Sequence, residues 1–559
     1  MEGKQLKKQL ALLLVLMLVL TSFMACSKPA TPTDAGTTEA ATQAVTEAPA
    51  VAQVLNWNLG AEPKTLDPQL NSAADGGYII NNTFEGLFRH SGTEISPAIA
   101  DSYEVSADGL VYTFKLKETK WSDGSPLTAN DFVYAWKRAL DPMTASEYSF
   151  QLYYIKGGQA YFEGTGTKED VAVKAIDDLT LEVTLIAPTA YFLDLLTFYT
   201  YLPTKQSVVE ATADGGWAID PAKTVCNGPF MLTEYSSGEK LVLSKNPNYW
   251  NAANIKLDTI NAFMIVDEST MLTAYESGEL DIIDSMPSAE IPRLQAEDST
   301  FMILPQIGTY YYIFNVTKKP VDDVRVRQAL TLAIDRKALV ETVTKGGQIP
   351  ATGFTPPGLY DANGAVFHEV AGNYGINPDA AEVEKAKALL AEAGYPDGKG
   401  FPKIEVLYNT SEGHKSIAEA IQEMWKKNLN IDVTIANQDW AVFQDTRHNG
   451  GFTIARAGWL GDYADPMTML DLWTSYSGNN DSQWKSLEFD ALIETSKVQT
   501  GQERFETLYK AQQMMMDNMI LAPIYYYTDP IMVSDRVQGW EKAGLGHWYF
   551  GNTEMVEAE

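Results

Sequence analysis

Residues 404–435 read IEVLYNTSEGHKSIAEAIQEMWKKNLNIDVTI. Two short apolar-rich runs, 404–407 and 431–435, predict strands, and the intervening 415–428 carries a helical pattern. Strand, helix and strand in that order make a βαβ unit, so this half of the chain is expected to be α/β. Upstream, residues 380–393 (AAEVEKAKALLAEA) predict a helix closed by Gly394, with Pro396 just beyond. Nearer the N-terminus, Val111-Tyr112-Thr113-Phe114-Lys115-Leu116 and residues 179–185 (LTLEVTL) alternate as half-buried strands do. Between them, residues 121–126 (WSDGSP) form a turn cluster. Thr128 or Asn130 then caps a helix carrying Phe132, Val133, Trp136 and Leu140. No internal repeat is visible, and these patterns set no domain boundary after Gln53.

The chain has 559 residues, 73 acidic against 42 basic, for a net charge of −31. Its length implies several domains or one large lobed body. A hydrophobic content of 45%, with 12 Trp, 28 Tyr and 21 Phe, excludes wholesale disorder. The acidic balance argues against nucleic acid as a partner, because phosphate neutralisation needs clustered Lys and Arg. Two cysteines cannot build a disulfide scaffold, and five histidines leave little for a metal site.

The N-terminus bears on compartment. A basic stretch at 4–8 precedes an apolar run at 10–20 that is too short to span a bilayer comfortably. The run ends in Phe23-Met24-Ala25-Cys26, which resembles the lipobox of bacterial lipoproteins. That resemblance implies cleavage of residues 1–25 and acylation of Cys26. Residues 27–50 are almost all small or polar, a composition expected of a flexible tether. Cys226 would then be unpaired, and it reads as a small buried residue.

Enzyme signatures are missing. There is no GxGxxG opening a helix, no phosphate loop, no HExxH and no GxSxG. Carboxylate pairs carry no weight in so acidic a chain, and a glycosidase leaves no motif to search for. No cofactor is expected.

One region concentrates opposite charges, tryptophans and glycines: residues 437–440 (NQDW), 447–450 (RHNG) and 455–466 (ARAGWLGDYADP). An extended peptide zwitterion wants a carboxylate for its ammonium and a cationic group for its carboxylate. Its backbone wants strand-like partners that glycine lets approach, and its varied side chains want roomy aromatic-walled pockets. This stretch supplies each.

From about Val54 to the C-terminus the sequence resembles the oligopeptide- and dipeptide-binding proteins of ABC importers. The resemblance is carried by residues 62–68 (EPKTLDP), 84–87 (FEGL), the region 108–131, 227–230 (NGPF), 323–330 (DVRVRQAL), 394–398 (GYPDG) and 455–465. It implies that Asp462 receives the peptide ammonium and Arg456 meets the peptide carboxylate. His414, Arg447 and His448 are further cationic groups for peptides of other lengths. Trp440 and Trp459 are pocket walls, Gly458 pairs backbone to backbone, and Asn409, Tyr148 and the run Tyr525-Tyr526-Tyr527 are weaker candidates. A structural reading stands beside each: a turn for Asp462, an ion pair for Arg456, plain core for the tryptophans, and a one-face-buried strand for the tyrosine run.

The same resemblance implies a two-lobed periplasmic-binding-protein-like fold with an extra domain inserted in the N-terminal lobe. That lobe would comprise 54–82, 206–312 and 526–559, the insertion 83–205, and the C-terminal lobe 313–525. The protein would be a monomeric, lipid-anchored receptor at the outer face of the cytoplasmic membrane, handing short peptides to the transmembrane subunits of a permease. Other members of this fold take nickel complexes, haem or cello-oligosaccharides, and some sense peptide signals. A neutral sugar would not call for both Asp462 and Arg456.

Overall fold

The computed structural model describes residues 51–91, 94–212 and 215–557. The signal sequence, Cys26 and most of the tether lie outside the described residues. Among those described, no helix is long and apolar enough to cross a membrane.

The body is mixed α/β and is organised on one eleven-stranded sheet. At its centre run two long antiparallel strands, Phe301–Phe314 and Leu521–Val533. Fourteen extended residues reach about 45 Å, far more than their neighbours. The two long strands therefore serve two arms of the sheet. Near one end, Leu521–Val533 pairs with the short strand Ile282–Ile283, which leads to Val54–Asn58, Thr259–Phe263, Lys240–Lys245 and Phe230–Ser236. Toward the other end, Phe301–Phe314 pairs with Ile454–Leu460, followed by Ile404–Asn409 and Val433–Gln438.

The register between the long strands breaks where the arms meet. Pro305 opposes Thr528 and Thr309 opposes Tyr526, so Gln306, Ile307 and Gly308 face Tyr527 alone. Such a bulge bends the pair and re-aims its side chains. A Cβ on Gly308 would lie 2.6 Å from Leu460 Cδ2 and 2.8 Å from the Trp459 carbonyl oxygen.

The βαβ unit is present: Ile404–Asn409 and Val433–Gln438 are parallel neighbours joined through the helix Glu412–Leu429. That helix starts three residues before the predicted 415, because the Ser411 side chain caps it by accepting from the His414 amide. Trp425 pins its buried face, its indole N–H donating to the Leu330 carbonyl at 2.8 Å. The predicted helix 380–393 begins only at Val383. Asn377 holds the preceding loop, accepting from the Asp379 amide and donating to Glu382. Gly394 closes the helix at φ +99°.

A separate four-stranded antiparallel sheet orders Ala100–Val105, Val111–Leu116, Thr180–Thr184 and Val173–Asp177. Beside it, Thr128 rather than Asn130 caps the helix Ala129–Ala139, its amide donating to the Asp131 carboxylate at 2.7 Å. Cys226 is buried and free, and burial pushes its thiol up to about 12, so it is no nucleophile.

Gly308→Ala should cost about 1–3 kcal/mol in chemical denaturation, since an added Cβ would press on the Trp459 carbonyl and on the Leu460 and Tyr527 side chains. Gly544→Ala, with no atom within 4 Å of the added methyl, should stay within about 0.5 kcal/mol of wild type.

Candidate functional site

Where the arms meet, they enclose a cavity of about 530 Å³, a size typical of ligand sites. Its wall includes Asp462, Arg456, Gly458, Trp459, Trp440, Arg447, His414, Asn409 and Tyr148. The strand Ile454–Leu460 supplies Arg456, Gly458 and Trp459, and Asp462 follows two residues after its end.

Asp462 is buried, accepting from Gln151 Nε2 at 2.8 Å and from the Tyr148 hydroxyl at 3.4 Å. Its own amide donates to Thr468 Oγ1 at 2.8 Å, which fixes the turn. Nearby acids are provided for. Arg504 grips Asp465 with two bonds of 2.8 and 2.7 Å, and Asp471 accepts from the Tyr463 hydroxyl at 2.9 Å. Asp462 has no cationic side-chain partner among the described residues. Burial, reinforced by Asp471, therefore holds its carboxyl well above the ordinary range.

Arg456 is the opposite case. Its guanidinium donates to the Tyr527 hydroxyl at 3.0 Å and to Asn409 Oδ1 at 3.4 Å, and it lies 4.9 Å from the Tyr310 ring centroid. Its Nε has no partner, and no carboxylate pairs with it among the described residues. Gly458 lets Tyr527 approach: a Cβ there would lie 2.2 Å from the Tyr527 hydroxyl that Arg456 uses and would displace it. Trp459 stacks on Tyr148 at 6.0 Å, its indole N–H donating to the Thr468 carbonyl.

Two expectations are corrected. His448 does not line the cavity: its Nδ1 lies 2.7 Å from Asp481 and its Nε2 lies 3.3 Å from Glu147. Arg447 reaches the cavity and is bound to the same buried Asp481 at 2.6 Å. His414 does line the cavity, with its Nδ1 3.4 Å from the Tyr310 hydroxyl. Burial and then Arg456 push its pKa well below the usual value, so it stands neutral rather than cationic. The tyrosine run lies in the strand Leu521–Val533 and alternates: Tyr525 and Tyr527 face the cavity, while the Tyr526 hydroxyl meets His368 Nδ1 at 3.0 Å.

Several residues carried no recognisable signal in the sequence: Gln151, which steadies Asp462 from behind the wall, and the wall residues Asp75, Glu268, Asp284, Asp529 and Lys542. They come from segments up to some hundreds of residues apart, and only the fold assembles them.

The chain belongs to the bacterial extracellular solute-binding proteins, family 5, whose middle region matches residues 94–481. It is 40% identical over 510 residues to the oligopeptide-binding protein OppA of Bacillus subtilis, covering 89% of this chain and 92% of that one. The crystal structure of Haemophilus influenzae OppA in complex with RPPGFSPFR is similar at TM-score 0.85 and 31% identity, covering 91% of this chain and 100% of the other. The Escherichia coli murein tripeptide binding protein MppA, 33% identical, matches at TM-score 0.83 over 91% of this chain and 99% of its own. Its unliganded open form matches at only 0.60, over 91% and 98%. The arrangement of the arms here is therefore not that of the open form.

The buried charge has a pH signature. Below the ordinary aspartate range, near 3.8, Asp462 is protonated in both folded and unfolded chains. As pH rises past that value the unfolded chain releases the proton and the folded one retains it, so this group costs stability. The Tm of Asp462→Asn relative to wild type, both freed of ligand, should rise between pH 4 and pH 8. An unchanged difference in scanning calorimetry would mean that the carboxyl is not held protonated.

Proposed function

We propose that Asp462 and Arg456 read the two ends of a short peptide enclosed in this cavity. The chain is the peptide-binding component of an ABC oligopeptide importer, a binding protein and not an enzyme. The observation that carries the site assignment is a buried acid and a half-buried guanidinium, each without a protein counter-ion, set six residues apart along one stretch of chain. Six extended residues span at most about 20 Å, which a peptide of about five residues covers. The ligand ammonium supplies the cation that Asp462 lacks, and the ligand carboxylate supplies the anion that Arg456 lacks. Asn409 and Tyr527 orient the guanidinium, and Tyr148 and Gln151 orient the carboxylate. Trp440 and Trp459 form apolar walls tolerant of varied side chains.

The mechanism follows from the two arms. The body divides into 54–82 with 206–312 and 526–559, the inserted 83–205, and 313–525, hinged on the long crossing strands. A peptide touching both sides favours the closed arrangement, which the permease then recognises. Removing one partner of a buried charged contact costs about 2–5 kcal/mol. Asp462→Ala should therefore weaken tetrapeptide binding by roughly 30-fold or more in titration calorimetry. N-acetylated peptides should bind wild type equally poorly. Equal affinity for free and acetylated peptides would remove Asp462 from this role.

The protein acts outside the cytoplasm. We further propose that Cys26 is the lipidated first residue of the mature chain and that residues 27–50 tether the body to the membrane. The basic, apolar and Ala25-Cys26 sequence supports this reading. Cys26→Ala should move the protein from the membrane fraction into the medium or periplasm, as followed by fractionation.

A further inference from the structure

Beside the cavity, a separate contact joins residues 83–205 to the C-terminal arm. His448, at the end of the helix Trp440–His448, lies between two acids. Its Nδ1 is 2.7 Å from Asp481 Oδ1 on its own arm, and its Nε2 is 3.3 Å from Glu147 Oε2 across the interface. Close backbone approach fixes the far partner. A Cβ on Gly478 would lie 2.8 Å from Glu147 Cα, and Asn479 Nδ2 donates to the Glu147 carbonyl at 3.4 Å. Little water reaches the contact, since the His448 and Glu147 side chains are 14% and 26% exposed.

Protonation decides what this geometry can be. Asp481 also binds Arg447. Burial opposes its charge, but Arg447 and then His448 outweigh burial and hold its carboxyl below the ordinary range. Asp481 is therefore an acceptor, and His448 Nδ1 must carry a hydrogen. In a neutral imidazole Nε2 is then a lone pair, and it would face another acceptor in Glu147. Both of these atoms are buried, and neither has a hydrogen-bond partner elsewhere. An added proton turns two opposed lone pairs into a charge-assisted hydrogen bond. The charges agree: with His448 neutral, two acids face the one base Arg447, and an imidazolium restores balance. The other groups nearby do not compete for that proton. Asp445, on the same helix, pairs with Lys64. Burial holds the phenols of Tyr311, Tyr148 and Tyr199, which face Arg447, Asp481 or Glu147, above their ordinary value.

We infer that His448 and Glu147 form a proton-dependent latch, in which closure of residues 83–205 onto the C-terminal arm takes up a proton between them. The inference rests on the hinged, peptide-binding reading above and adds the proton as a second ligand of the closed form. Histidine is the side chain whose charge changes between about pH 5 and pH 8, so the latch acts within the range met outside a cell. The sign follows from linkage: a closed form that holds one more proton than the open form loses affinity for peptide as pH rises, by up to about tenfold per pH unit.

The decisive variant is Glu147→Gln, whose amide donates to a neutral Nε2 and so makes the same contact without a proton. Tetra-alanine affinities of wild type and variant, both freed of ligand, are compared by titration calorimetry from pH 6 to pH 8. The titrations of Asp462 and of the peptide ends are common to both proteins and cancel in the ratio. The affinity of wild type relative to Glu147→Gln should fall by about tenfold over that range. His448→Gln, which cannot titrate, should give the same trend and serves if the first variant does not fold; circular dichroism melting establishes folding. A ratio that stays constant with pH while peptide still binds overturns the latch alone. Absence of binding by wild type at every pH would sink both the latch and the peptide-binding reading on which it rests.

Discussion

The functional geometry depends on the break in register between the two long central strands. Three residues opposing one cannot continue a flat ladder, so the pair bends at Gly308 and Tyr527. That bend brings Tyr527 over Gly458, where no side chain fits. The Tyr527 hydroxyl in turn receives the guanidinium of Arg456. The position of the cation is thus set by backbone constraints at two glycines rather than by an acidic partner. A guanidinium held by neutral acceptors keeps its charge available, whereas one held by a carboxylate has spent it. Arg504 on Asp465 and Arg447 on Asp481 are the contrasting cases in the same region.

The same distinction applies to the acids. Leaving a buried charge without its partner costs about 3–5 kcal/mol, so a folded chain normally pairs it, solvates it or protonates it. Asp465 is paired, Asp471 is hydrogen-bonded and pushed up to about 7, and Asp462 is held by two neutral donors. Two donors orient the carboxyl but do not offset its burial, which favours the protonated form. On the assignment proposed above, an ammonium arriving at Asp462 would pair with a carboxyl that the protein leaves without a cation, and would contribute more than an exposed ion pair.

How far this was legible in the sequence follows from the range of each interaction. Elements set by local pattern were readable: the βαβ unit around residues 404–435, the strand Val111–Leu116 and the Thr128 helix. Ends governed by side-chain caps, at Ser411 and around Asn377, were displaced by about a turn. In the site, residues 455–466 stood out because opposite charges, glycine and tryptophan crowd one short stretch. The fate of Arg447 and His448 could not be read, since their shared partner Asp481 lies thirty-odd residues away on another segment. The neutrality of His414 has the same origin, being a consequence of burial. Gln151, behind the wall, and Asp75, in it, were invisible because nothing near them in sequence marks them.

On the hinged reading proposed above, the surface between residues 83–205 and the C-terminal arm must part and rejoin. It is rich in tyrosine and tryptophan: Tyr148 stacks on Trp459, Tyr191 on Tyr463 at 5.4 Å, and Tyr153 lies 5.8 Å from Tyr476. A purely aliphatic interface would hold the halves shut and would be exposed at high cost when they separate. Tyrosine buries a large apolar ring yet carries a hydroxyl that water can satisfy when the surface opens. In the closed arrangement Tyr191 meets the Tyr154 hydroxyl at 3.0 Å and Tyr463 meets Asp471. On the hinged reading proposed above, a differential affinity of ligand for the closed form shifts the equilibrium towards closure.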